Sequence, residues 1–171
     1  MNKITLKIFI IIGLCFGLYS YGDDAAKGTG LGFPRFVSLK GSKANLRTGP
    51  GRNFPIEWVY QNKGLPLKVV AEYDKWYKVE DSEGSKGWMH HTLFSGKRNV
   101  QIQSSNTVSL QSLPTYGSTP IAWLEPNAVG TVVECPTDKS WCEVMFDKYK
   151  GFVERNVLWG VLDGETITVE D

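Results

Sequence analysis

The sequence predicts an all-β chain built as two tandem small barrels, and three observations carry that expectation. Short strand-like runs across residues 44–93 are separated by Gly, Pro and Asp-Ser turn signals. Anchors from that stretch return farther along at a nearly constant offset of 64 or 65 residues. No segment carries a long helical period.

In chain order, the first segment reads as an address. Lys3 and Lys7 precede an apolar run over 8–18, and Ser20-Tyr21-Gly22 places small residues at −3 and −1 of a cut after Gly22. The apolar run is shorter than the roughly 20 residues of a membrane span. Cleaved export is the leading reading. An uncleaved anchor is the alternative, and lipidation of Cys15 is disfavoured because Leu14 stands where a small residue should. Residues 23–34 are polar and glycine-rich and read as a flexible leader. Their glycines (Gly28, Gly30, Gly32) have neither the preceding strand nor the following helix that a phosphate loop requires.

The first module opens with a short run into Gly49-Pro50-Gly51, a turn in which proline presets φ and glycine is expected to accept positive φ. Strand-like runs follow at 56–60, 67–73 and 76–80, and Asp81-Ser82-Glu83-Gly84 is a hairpin signal leading into Gly87-Trp88-Met89. Five short segments in about fifty residues cannot cover the faces of a flat sheet and should curl into a barrel. With Asn45-Leu46-Arg47-Thr48-Gly49-Pro50-Gly51 at its start, Trp76-Tyr77-Lys78-Val79 in its middle and Gly87-Trp88-Met89-His90 at its end, this stretch resembles a bacterial Src-homology-3 (SH3) domain. The resemblance covers residues 37 to about 97. It implies an SH3-like barrel that serves as a binding module outside the cytoplasm. It also implies that His90, after Gly-Trp-Met, lines a ligand groove.

The echo begins at Val108. Leu110 and Pro114 fall 64 residues after Leu46 and Pro50, Ile121 and Trp123 fall 65 after Ile56 and Trp58, and Trp141 and Val144 fall 65 after Trp76 and Val79. Gly151-Phe152-Val153 follows Gly87-Trp88-Met89 at 64. A duplicated, diverged SH3-like module is the economical account. It departs from the family pattern where Asn45, Arg47 and Gly51 become Ser109, Gln111 and Thr115. The expected division is a signal peptide at 1–22, a leader at 23–34, barrels at 35–97 and 98–160, and an acidic tail at 161–171.

Charge is unevenly placed. Residues 35–97 carry 11 basic and 6 acidic side chains, a net of +5, whereas 98–160 carry 5 and 6, a net of −1. After removal of 1–22 the chain holds 17 Lys and Arg against 18 Asp and Glu. The basic first module is either ordinary solvated surface or an attraction to something anionic such as wall polymer, lipid headgroups or an acidic partner. Export argues against nucleic acid, and contact with a membrane is expected only through the signal sequence before cleavage.

Strand parity singles out the tryptophans. Tyr77 and Val79 form the apolar face of 76–80, which leaves Trp76 with Lys78 and Glu80, and Trp141 repeats this beside Cys142, Val144 and Phe146. A large ring on the outward parity either lines a groove or is covered by a neighbouring loop or the other barrel. Trp88 is expected to be part core and part groove rim. The candidate ligand-binding residues are Trp76, Trp88 and His90, with Arg47 supplying charge at the rim.

Cys135 and Cys142 share the apolar parity of adjacent strands and, in an oxidising compartment, read as a disulfide. The competing reading, a wall peptidase with a cysteine nucleophile, needs a histidine base beside the thiolate. The only histidines, His90 and His91, lie in the other module, and two barrels leave no room for a catalytic domain. Adjacent residues on an extended strand face opposite ways, so His90 and His91 are not expected to chelate one metal, and no cofactor is expected. The sequence therefore predicts a non-enzymatic, exported protein, periplasmic or extracellular, whose partner is a cell-wall component or an extended peptide. The alternative is a structural subunit of an envelope assembly with no small ligand.

Overall fold

Alternation of buried and outward side chains sets the framework. In the computed structural model, which describes residues 31–168, every ordered segment is a strand or a single 3-10 turn. The segment expected to direct export, most of the expected leader and the last three residues lie outside the described residues. No helix among the described residues is long and apolar enough to cross a membrane.

The first curled sheet contains β1 (Arg35–Leu39), β2 (Ala44–Arg47), β3 (Ile56–Tyr60), β4 (Pro66–Tyr73), β5 (Trp76–Glu80), β6 (Lys86–His90) and β7 (Phe94–Ser95). Its strand order is β3-β2-β6-β5-β4-β1-β7. The second contains β8 (Asn99–Ile102), β9 (Val108–Gln111), β10 (Pro120–Leu124), β11 (Val129–Cys135), β12 (Trp141–Phe146), β13 (Tyr149–Glu154) and β14 (Leu158–Trp159), in the order β10-β9-β13-β12-β11-β8-β14. The two orders are the same strand for strand. The all-β, two-barrel expectation holds, and each curled sheet ends on a strand pair (β1–β7, β8–β14) that periodicity alone did not single out.

The cores follow the predicted parity. Leu46, Val79 and Met89 are buried in the first barrel, and their repeat equivalents Leu110, Val144 and Val153 are buried in the second. Cys135 and Cys142 are fully buried in the second core and are joined in a disulfide with Cα atoms 4.3 Å apart. The segment expected as an acidic tail, 161–171, is folded into this barrel as far as Thr168. There β15 (Ile167–Thr168) pairs with β11, and Ile167 is buried in the core.

Two strands are buried on both faces and so join the barrels. On β1, Val37 and Leu39 turn to the first core, while Phe36 meets Trp159 edge-on at 5.0 Å and the Ser38 hydroxyl accepts from the Asn99 backbone N–H at 3.3 Å. On β8, Val100 and Ile102 enter the second core, while Asn99 and Gln101 fill the seam. The Asn99 side chain donates to the Gly64 carbonyl at 2.7 Å. Gly64 has φ +81 and a Cβ there would lie 2.6 Å from that same amide, so both backbone and space require glycine.

The turn 49–51 departs from expectation in its reason. Neither Gly49 nor Gly51 has positive φ. The glycines are needed because the Phe54 ring lies across the turn, where a Cβ on Gly49 would come within 2.3 Å of it. The 81–84 hairpin forms as predicted: Asp81 accepts from the backbone N–H groups of Glu83 and Ser85 at 3.0 and 2.8 Å, and Gly84 sits at φ +89.

Candidate functional site

The outward parity of three adjacent strands builds a cleft on the first barrel. β2 presents Asn45 and Arg47 outward because Ala44 and Leu46 are buried. β5 presents Trp76 by the same rule, and the register of β5 with β6 sets His90 directly opposite it. The rings of Trp76 and His90 meet edge to face at 5.3 Å. With Lys43 and with Arg52 from the turn after β2, they line a cleft of about 490 Å³. No carboxylate lines it among the described residues.

Three of the four predicted residues, Trp76, His90 and Arg47, are thus brought together. Trp88 is not in the lining. It is opposite Lys78 and Arg47 in register, two pairs along from Trp76–His90, and it is half-buried beside the cleft. Sequence reasoning missed Lys43, Asn45 and Arg52 as lining residues. The outward parity of β2 would have found Asn45. Arg52 is placed by the fold of its turn, which Arg47 pins by donating to the Phe54 carbonyl at 2.7 Å.

His90 is held by its neighbours. Its Nδ1 lies 2.8 Å from the Thr92 hydroxyl and accepts weakly from the Thr92 backbone N–H. An accepting Nδ1 puts the neutral ring's proton on Nε2. Burial, then the nearby His91, Arg52 and Lys75, pushes its pKa down, with Asp74 opposing. The charge of the cleft at neutral pH therefore comes from Lys43, Arg47 and Arg52. The expectation that His90 and His91 diverge is corrected: His91 begins the 3-10 turn His91–Leu93, which breaks the strand alternation, and the two rings lie 4.9 Å apart. Among the described residues, no group of three metal-ligating side chains accompanies them.

The corresponding place on the second barrel is built differently. Trp141 faces Glu154 in register, as Trp76 faces His90. Tyr116, on the loop after β9, packs its ring edge-on to Trp141 at 5.2 Å and donates its hydroxyl to Glu154 Oε2 at 2.8 Å. A neighbouring loop therefore packs against this indole, which stays half-buried as Trp76 does. The outer edge of each barrel also carries a tryptophan that sequence reasoning used only as a repeat anchor. Trp58 on β3 is 61% exposed and Trp123 on β10 is 67% exposed.

Comparison with known proteins adds one family. Residues 40–96 match the family described as bacterial SH3 domain. No curated protein matches the chain. Among solved structures, the chain is similar to two proteins of Trichomonas vaginalis described as NlpC2 and NlpC1. The first is 11% identical with a TM-score of 0.33, covering 74% of this chain and 48% of that one. The second is 10% identical with a TM-score of 0.33, covering 78% and 48%. The chain therefore spans about half the length of either structure.

Proposed function

Residues 40–96 are a bacterial SH3 domain, and from that premise we propose that the protein is a non-enzymatic, exported binding protein that recognises a cell-wall component or extended peptide through the cleft of its first barrel. The observation that carries this reading is the Trp76–His90 pair, an indole and an imidazole half-exposed side by side in a cleft lined by Lys43, Arg47 and Arg52. An aromatic floor with a cationic rim suits a ligand that is both extended and polar, because stacking area and charge act on different parts of it. The Cys135–Cys142 disulfide fits an envelope or exported protein. It also occupies the two thiols that the peptidase alternative would have needed.

The test is retention on insoluble peptidoglycan. The expected result is capture by the wall that Trp76→Ala removes, with the β-sheet spectrum unchanged. Recovery of a stoichiometric envelope protein with no wall retention would overturn it.

One observation favours the second reading, a structural partner within an envelope assembly. Ile56 and Trp58 on β3 are exposed, and so are Ile121 and Trp123 at the equivalent places on β10. Both strands lie at sheet edges, where unpaired backbone groups and bare rings accept a protein partner. Under this reading Trp58→Ala and Trp123→Ala abolish partner recovery while Trp76→Ala does not.

A further inference from the structure

We propose that the first barrel's cleft binds a carboxylate, the free acid group of a wall peptide, beside the place where the second barrel carries its own Glu154. The inference rests on the wall-recognition reading above and names the chemical group recognised. It comes from setting the two barrels side by side. Trp76 and Trp141 occupy the same place on β5 and β12, and each faces one residue on the next strand, His90 in the first case and Glu154 in the second.

In the second barrel the arrangement is complete within itself. A carboxylate lies beside an indole and is held by a donor, the Tyr116 hydroxyl, from the loop after β9. In the first barrel the residue at Tyr116's place in the repeat, 64 positions earlier, is Arg52. The donor is thus retained and strengthened from a phenol to a guanidinium, which carries a charge and a two-pronged fork that fits a carboxylate. The acid itself has gone, and His90 stands in its place.

The surroundings of His90 are those of a receptor for the missing group. Thr92 occupies Nδ1, so the neutral imidazole offers Nε2–H as a donor. Lys43 and Arg52 have no carboxylate partner among the described residues, and Arg47 directs one N–H to Phe54. Asp74 is near enough to act on His90 but does not line the cleft, so three cations around a donor-bearing imidazole leave a deficit of negative charge that a carboxylate would fill. The same comparison predicts that the second barrel is silent toward this ligand, because Tyr116 and Glu154 satisfy each other.

The experiment uses the exported chain and purified peptidoglycan stripped of phosphate polymers, half of it with its carboxyl groups converted to methylamides. The expected result is retention on the untreated wall and at least a tenfold weaker hold on the amidated wall. His90→Glu, which supplies an internal carboxylate as the second barrel does, should cost a similar factor. Arg52→Tyr, on an exposed turn where folding is not at stake, should do so as well. Equal retention on both walls overturns the carboxylate inference and leaves the wall reading standing. Binding to unstripped wall that disappears with the phosphate polymers overturns it in favour of a phosphate ligand. No retention on any wall overturns both.

Discussion

The indole N–H of Trp159, at the end of the second barrel, donates to the backbone carbonyl of Pro66 in the first at 3.1 Å. The same ring is met edge-on by Phe36 and lies 4.8 Å below the Lys68 ammonium. Three kinds of contact therefore converge on one side chain at the seam.

That convergence predicts a single cooperative unit. Trp159→Phe should lose about 1 kcal/mol, the net worth of one hydrogen bond, while keeping the edge contact. Trp159→Ala should cost roughly 3 kcal/mol by removing the packing as well, and should split one calorimetric transition into two. An unchanged midpoint in Trp159→Ala would show that the barrels are held together elsewhere.

The cleft predicts a separation of binding from stability. Trp76→Ala should abolish wall capture, a loss of about 2 kcal/mol or more for a central aromatic, with a nearly unchanged melting midpoint because the ring lies outside the core. Arg52→Ala should weaken capture in a salt-sensitive way. Arg47→Ala should do so too, and should also loosen the turn that its bond to Phe54 pins. A steep fall in the Trp76→Ala midpoint would place that ring in the fold's support and not in binding.

Reduction of Cys135–Cys142 should destabilise the second barrel selectively. The two cysteines are 7 residues apart, and closing so short a loop contributes roughly 2–3 kcal/mol in the loop-entropy model. Denaturant melts of oxidised and reduced protein, followed by the fluorescence of Trp141, should differ by that amount. Two alkylatable thiols in the non-reduced protein would contradict the bond.

A pH dependence is expected from Glu165. Burial pushes its pKa up, but the hydrogen bond from Arg98, the Leu162 N–H and the charges of Arg98 and Arg155 outweigh it and hold it below the ordinary carboxylate value. With the folded value below the unfolded one, the unfolded chain binds the proton more tightly. The contribution is thus present above the unfolded pKa and is lost as pH falls through the folded one. The melting midpoint of the native protein should drop through the acid range more steeply than that of Glu165→Gln. Parallel profiles would remove Glu165 from the account.

Within β5 and β12, the sequence alone determined which side chains point inward. The period of two is a local property, so Tyr77 and Val79, and Cys142 and Val144, could be assigned to their cores, and two same-face cysteines on a hairpin could be paired. Constant spacing likewise made a duplicated module legible from the anchors, and the structure gives the two sheets one strand order.

What lies between strands was decided only in three dimensions. Parity put Trp76 on the outward face, but the register of β5 with β6 was needed to set it against His90 and to leave Trp88 two pairs away. Arg52 entered the cleft through the fold of a turn, and Tyr116 packed edge-on against Trp141 from a loop with no periodicity. β1 and β8 could not be read as seam strands, since polar Ser38, Asn99 and Gln101 look solvent-facing until a second barrel covers them. β15 was hidden in the same way, because acidic neighbours mask a single buried Ile167. The physical reason is common to all of them: alternation is imposed by the backbone residue by residue, whereas register, loop closure and barrel docking depend on contacts between residues far apart in the chain.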